Sequence, residues 1–276
     1  MKKISVISMI LLGAISLSSC RVIIVKDRSV LNKETIQPSG TMADSLCTPG
    51  HFNAVTVSGA GKVYFSQEGE EFLKISAPDN LIDKIRVSVE GSTLVIKPDF
   101  NSVKNLDDLL VYNICCPSLE GIKVSGSVDF ISEGVISCPD FYVSASGSSD
   151  VILRGLDCSG DAEFSLSGSS DLNARGIKAR SFDASLSGSC DMDVNGLEAE
   201  KVQIGGSGAT DVEIKGLLTK DMDVALSGSG DITLAGKADK AYFKLSGASD
   251  ADIRALEYND ASWSTSGSST VKGARN

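Results

Sequence analysis

The sequence predicts an all-β fold, a parallel β-solenoid with coils of about 20 residues, and three observations predict it. A Ser-Gly pair recurs with its Gly at 126, 147, 168, 188, 208, 228, 247 and 267, in steps of 19 to 21 residues. Apolar and polar residues alternate on both sides of each pair, the period of a strand with one buried face. The first two inward positions of the strand before each pair also trade volume: Phe141/Val143, Ala162/Phe164, Phe182/Ala184, Val202/Ile204, Met222/Val224, Ala241/Phe243 and Ala261/Trp263. Where one is large the other tends to be small, as side chains sharing one interior of nearly constant width must be. Separate hairpins need neither equal repeats nor that trade. Coils stacked about 4.8 Å apart need both.

Taken in order, residues 1–19 read as a signal peptide. Lys2 and Lys3 precede an apolar run from Ile4 to Leu17, too short and too near the N-terminus to read first as a membrane span. The stretch Leu17-Ser18-Ser19-Cys20 resembles the lipobox of bacterial lipoproteins, with Cys20 as the residue that receives the acyl chains. Lipid at Cys20 would anchor the chain to a membrane without spanning it. Residues 21–50 show no sustained periodicity, carry Pro38, Gly40, Pro49 and Gly50, and read as a tether from the lipidated Cys20. Val22–Val25 could form a short strand but has no partner nearby.

Residues 51–119 read as an irregular all-β part and residues 120–276 as the regular repeats. In the former, "EFLKISAPDNLIDKIRVSVEGSTLVIKPDF" offers three alternating strands, with turns at Pro78-Asp79-Asn80 and Glu90-Gly91. In the latter, "FYVSASGSSDVIL" and its successors repeat strand, corner and strand. No segment keeps a 3.6-residue period long enough for a helix of any size. Trp263, in the inward register, is expected to plug the last coil, whose strand edge would otherwise lie open.

The stretches "FNAVTVSGAGKVYFSQ", "LKISAPDNLIDKIRVSVEGSTLVI" and "CPSLEGIKVSGSVDF", with the Ser-Gly-x-x-Asp ladder, resemble the putative auto-transporter adhesin head GIN domain family. The resemblance covers roughly residues 51–270. It implies an all-β fold, a single-stranded parallel β-helix, in a secreted or lipid-anchored bacterial protein. It carries no established biochemical activity. A β-barrel translocator is not expected after the repeats, and lipidation would stand in for autotransport.

Among residues that could carry chemistry, the ladder Asp129, Asp150, Asp171, Asp191, Asp211, Asp231 and Asp250 stands three residues after successive glycines, until Thr270 breaks it. An Asp ending a Ser-Gly turn can accept hydrogen bonds from exposed backbone N–H groups, so turn-capping is expected. That role would hold the carboxylates below their ordinary pKa, and stability should rise between about pH 3 and 6. Asp150, Asp171, Asp191, Asp211, Asp231 and Asp250 are weak candidates for a divalent ion. "SGSGDITL" resembles part of a calcium-binding nonapeptide, but one copy per coil leaves one side of any ion without its second loop. No metal or cofactor is expected.

An enzyme is not expected. His51 is the single His, at the edge of the fold, and there is no G-x-S-x-G elbow. Pairs such as Asp171/Asn173, Asp191/Asp193 and Asp211/Glu213 repeat too uniformly to give an acid and a base in unlike surroundings. Polysaccharide cleavage is therefore only a distant alternative. Nucleic acid is excluded as a partner by 36 acidic against 26 basic residues and by the lack of a basic cluster; without the signal, 24 basic against 36 acidic leave a net charge of −12. The outer positions Tyr142, Glu163, Asp183, Gln203, Asp223 and Tyr242 read as a solvated face. Cys47, Cys115, Cys116, Cys138, Cys158 and Cys190 could pair in 15 ways, and spacing does not choose.

The expectation is a non-catalytic cell-envelope lipoprotein, adhesin-like or structural. It is expected to be exported and held by its anchor to a Gram-negative outer membrane, with a protein or glycan ligand and surface or periplasmic orientation open. The alternative is a structural component facing the periplasm.

Overall fold

The computed structural model describes residues 35–102, 106 and 108–273. Cys20, the signal peptide and Val22–Val25 lie outside the described residues. The described residues are 74% strand and 2% helix and form a parallel β-solenoid of about 8 turns with ~20-residue coils. β1 (Thr35–Ile36), β2 (Met42–Cys47), β3 (Ala54–Gln67), β4 (Phe72–Pro78), the one-turn helix α1 (Asp79–Ile82), β5 (Ile85–Glu90), β6 (Thr93–Pro98), β7 (Asn101–Ser102) and β8 (Val111–Cys116) make the N-terminal part. The coils continue through β9 (Gly121–Ser132), β10 (Ile136–Cys138), β11 (Phe141–Gly147), β12 (Val151–Leu153), β13 (Leu156–Cys158) and β14 (Asp161–Gly168). β15 (Leu172–Gly188), β16 (Asp191–Gly208), β17 (Asp211–Gly228), β18 (Asp231–Gly247), β19 (Asp250–Thr265) and β20 (Thr270–Lys272) complete them.

Each coil stacks on the last in register. β15 pairs with β16 from Leu172↔Met192 to Gly188↔Gly208, and β16 with β17 from Asp191↔Asp211 to Gly208↔Gly228. In β16 the inward residues fall in three runs, Met192/Val194, Leu197/Ala199 and Val202/Ile204, all buried. Gly196, with φ +94, turns the chain between the first and second runs. The volume trade has a direct structural counterpart. Phe182 stands over Ala162 and Phe164 under Ala184, so the two rings meet diagonally, with centroids 5.1 Å apart. Two rings stacked in one column would leave a gap in the other.

The N-terminal part closes one end of the stack. β3 pairs in parallel with β9 on one edge and with β6 and β8 on the other. From there the direction changes. β5 pairs antiparallel with β6, and β4 antiparallel with β8. The hairpin of β5 and β6 turns at Gly91, whose φ of +64 suits a glycine.

The structure corrects the sequence reading at residues 42–47. Expected as tether, they form β2, antiparallel to β4, with Cys47 buried. The preceding segment is tied down as well: Asn80 Nδ2 donates to the Gln37 carbonyl at 2.8 Å and the Asp79 N–H to the Thr41 carbonyl at 2.9 Å. The burial of β2 alternates but its hydropathy does not, because the large apolar Met42 and Leu46 point to the solvent side and Ala43 and Ser45 to the other. The expected turn at Pro78-Asp79-Asn80 is the single helical turn α1, which buries Leu81.

The other end differs. Residues 261–265 of β19 pair with 241–245 of β18 on one side, and among the described residues nothing pairs with their outer edge. β20 covers β19 only from Thr270↔Asp250 to Lys272↔Asp252. Trp263 lies in register with Phe243, as the inward pattern requires, but keeps 38% of its surface exposed.

Candidate functional site

The repeated Ser-Gly corner dominates the sequence. Every corner glycine from Gly126 to Gly267 has φ between +76 and +107, a region that costs other residues about 1–2 kcal/mol. The residue after each glycine donates its N–H to the carbonyl of the glycine one coil earlier, as Ser189 does to Gly168 at 2.8 Å. That bond draws the backbones together, so a Cβ on any of these glycines would lie 2.2–2.6 Å from the preceding glycine's carbonyl oxygen. Glycine is required twice over, by φ and by contact.

A second column lies inside the corner and escaped the sequence reading. Ser149, Ser170, Cys190, Thr210 and Ser249, each two residues after a corner glycine, are fully buried. Ser149 Oγ donates to the Ser146 carbonyl at 3.2 Å and accepts the Val128 N–H at 3.2 Å. Ser249 Oγ donates to the Ser246 carbonyl and Cys190 Sγ to the Ser187 carbonyl. Gly230 interrupts the column because Thr210 fills its space: a Cβ there would lie 2.6 Å from Thr210 Oγ1. The signal was available, since that position is always small in these coils.

The aspartates stand outside the same corner, and their bonds run between coils. Asp171 Oδ1 accepts the N–H of Asp191 at 3.1 Å, Asp211 that of Asp231 at 3.4 Å, Asp231 that of Asp250 at 3.2 Å, and Asp250 that of Thr270 at 3.1 Å. The expected lowering of pKa does not hold at Asp150 or Asp191. Partial burial first, then the charges of Asp129 and Asp171, raise the pKa of Asp150; burial, then Asp171 and Asp211, raise that of Asp191. One long hydrogen bond does not outweigh two like charges and partial desolvation. At the end of the column, Lys272 and Thr270 lower the pKa of Asp250.

Two of the outer faces carry grooves. On the first, the aspartates stand beside Asn173, Asp193, Glu213 and Thr233, around an open groove of about 420 Å³. Lys215 reaches Glu213 at 2.8 Å and Lys272 reaches Asp250 at 2.8 Å. Among the described residues, no group of three or more His, Cys, Asp or Glu is placed to hold a metal ion.

The second face lies beside the strands that lead into the corners. It holds a groove of about 310 Å³ around Tyr242, which is 40% exposed. Lys201, Asp221, Lys240 and Asp260 are successive register partners, a column of alternating charge. Asp223, Tyr242 and Ser262 form the next. Tyr142 occupies the same column as Tyr242, five coils earlier, so no continuous aromatic strip joins them. The alternation of Lys and Asp went unread in the sequence because its members are 19 or 20 residues apart.

His51 hydrogen-bonds through Nδ1 to Glu71 Oε1 at 2.7 Å and is well exposed, in the N-terminal part. Cys115 and Cys116 are buried, Cys190 belongs to the serine column, and Cys138 is the register partner of Cys158.

The model of the family described as "Putative auto-transporter adhesin, head GIN domain" matches residues 51–215 and 183–274. The fold resembles that of a putative adhesin from Parabacteroides merdae, with a TM-score of 0.76 at 15% identity, over 88% of this chain and 100% of that one. A putative adhesin from Bacteroides fragilis gives 0.63 at 22% identity, over 86% and 99%. A structure named putative lipid binding protein, from Parabacteroides distasonis, gives 0.73 at 19%, over 88% and 100%. At these identities the likeness is one of fold. No curated protein matches the chain.

Proposed function

The chain belongs to the family "Putative auto-transporter adhesin, head GIN domain", and on that footing we propose that it is a non-catalytic, adhesin-like binding module of the bacterial cell envelope. Its solenoid presents a rigid face to a ligand, and an acyl chain on Cys20 holds it to the outer membrane. The groove around Tyr242 carries this reading. A half-exposed aromatic ring flanked by alternating ammonium and carboxylate groups suits a saccharide. The ring faces the sugar's C–H surface, and the charged groups bond its hydroxyls. In the same reading the Asp ladder is a bracket between coils, holding no ion.

A glycan array incubated with the whole protein and with Tyr242→Ala tests the binding role. Signal on a subset of glycans, lost in the variant, supports it; an array that stays blank for the whole protein sinks a glycan ligand. Protease shaving of intact cells tests the placement. Loss of the protein supports surface display, and protection until the outer membrane is breached favours the structural component facing the periplasm.

A further inference from the structure

We propose that Cys138 and Cys158 form a disulfide that staples two successive coils of the solenoid. They are exact register partners on β10 and β13, neighbouring parallel strands, and their Sγ atoms lie 3.8 Å apart. Neighbouring strands hold Cα atoms about 4.8 Å apart, inside the span of about 4.4–6.8 Å that a disulfide bridges. Both strands are three residues long and end at turns, Pro139-Asp140 after one and Ser159-Gly160 after the other, so the sulfurs can close without moving a long ladder.

The remaining cysteines are placed differently. Cys190 sits in the buried corner column between Ser170 and Thr210, bonded to the Ser187 carbonyl. β4 is paired between β2, which carries Cys47, and β8, which carries Cys115 and Cys116.

The chemistry assigns unequal roles. Cys138 is partly exposed and Cys158 is buried, so Cys138 meets the oxidant first. Its thiolate attacks one sulfur of an oxidant disulfide, a dithiol oxidase or glutathione disulfide, and releases the other sulfur as a thiolate. The Cys158 thiolate then attacks the Cys138 sulfur, forming the Cys138–Cys158 bond and expelling the second oxidant thiolate. Two electrons pass to the oxidant, and the two thiol protons end on its reduced sulfurs. Burial raises the pKa of both thiols, which makes the exchange slow without an oxidase. The envelope location supplies the oxidising setting; the pairing geometry does not depend on it.

Trypsin cuts after Arg154, between the two cysteines, and leaves 124–154 and 155–175 joined only by the staple. Full-length protein purified reduced is incubated with glutathione disulfide, blocked with N-ethylmaleimide, digested and weighed. The joined pair should dominate. The melting temperature should rise by roughly 5–10 °C over the reduced protein. That rise should be absent in Cys138→Ser and kept in Cys190→Ser. Separate peptides, each carrying maleimide or glutathione, would overturn the pairing. The same digest on protein taken from its native membrane tests the setting: joined peptides support an oxidising location. Separate peptides there, after pairing in vitro, would overturn the staple as a native modification and count against the envelope reading, while leaving the geometry intact.

Discussion

The two ends of the solenoid solve the same problem unequally. A parallel stack always presents an edge of unpaired backbone groups and an open slice of core, because each coil is a template for another. At the N-terminal end β4 and β5 run against the stack, and Phe52, Leu73, Leu94, Phe100 and Tyr112 are buried there. At the other end Trp263 is 38% exposed, and Ala261 and Val271 are only half-buried. Stopping a repeat therefore takes sequence that departs from the repeat. The irregularity of residues 51–119 is a closing device, and β2 adds the final strand to it.

The comparison can be broken first in mid-stack. Gly188→Ala should cost about 2–5 kcal/mol, from strain at φ +104 and overlap with the Gly168 carbonyl. The same change at Gly267 meets the Gly247 carbonyl at the same 2.4 Å. Among the described residues, however, its coil has no further coil paired along residues 261–265 and can shift outward, so the change should cost less than half as much. Chemical denaturation of both variants checks this, and equal losses would mean that the end coil is as constrained as the middle.

Next come the two caps. Leu94→Ala removes a fully buried side chain and should cost about 3 kcal/mol. Trp263→Ala should cost under about 2 kcal/mol despite the larger side chain, because the ring already meets water. A larger loss for Trp263 than for Leu94 would show that the far end is better closed than its exposure implies.

The smallest effects concern the Asp column, where pH separates middle from end. Asp191 has a raised folded pKa, so its contribution is fully present below its unfolded value of 3.8 and is lost as pH rises through the folded value. Asp191→Asn should therefore melt higher than the parent at pH 6 and show no advantage at pH 3. Asp250 has a lowered pKa, so its contribution is present above 3.8 and is lost as pH falls through the folded value. Asp250→Asn should melt lower than the parent at pH 6. Melting curves of both variants at the two pH values decide, and a shift of the same sign at pH 6 would remove the distinction.

Most of the solenoid could be read from the chain. The recurrence of Gly126 to Gly267, the alternation around it and the trade at pairs such as Ala162/Phe164 and Phe182/Ala184 are periodic. A periodic pattern needs no knowledge of distant partners: each coil meets a copy of itself. The candidate sites were less legible. Tyr242 and the Asp column were visible as residues, but the direction of the Asp pKa shifts depended on burial and neighbouring charges that spacing does not express. The alternating column Lys201, Asp221, Lys240 and Asp260 is coherent only once the register is set.

The sequence by itself determined the repeat, the inward face and the need for glycine at each corner, because those follow from local geometry copied coil after coil. Tertiary structure alone decided that residues 42–47 join the fold, that the strand direction reverses at one end, and that Cys138 faces Cys158. Those contacts join segments unlike one another, or pick one pair from 15 pairings, and only the stacked backbone brings their partners within reach.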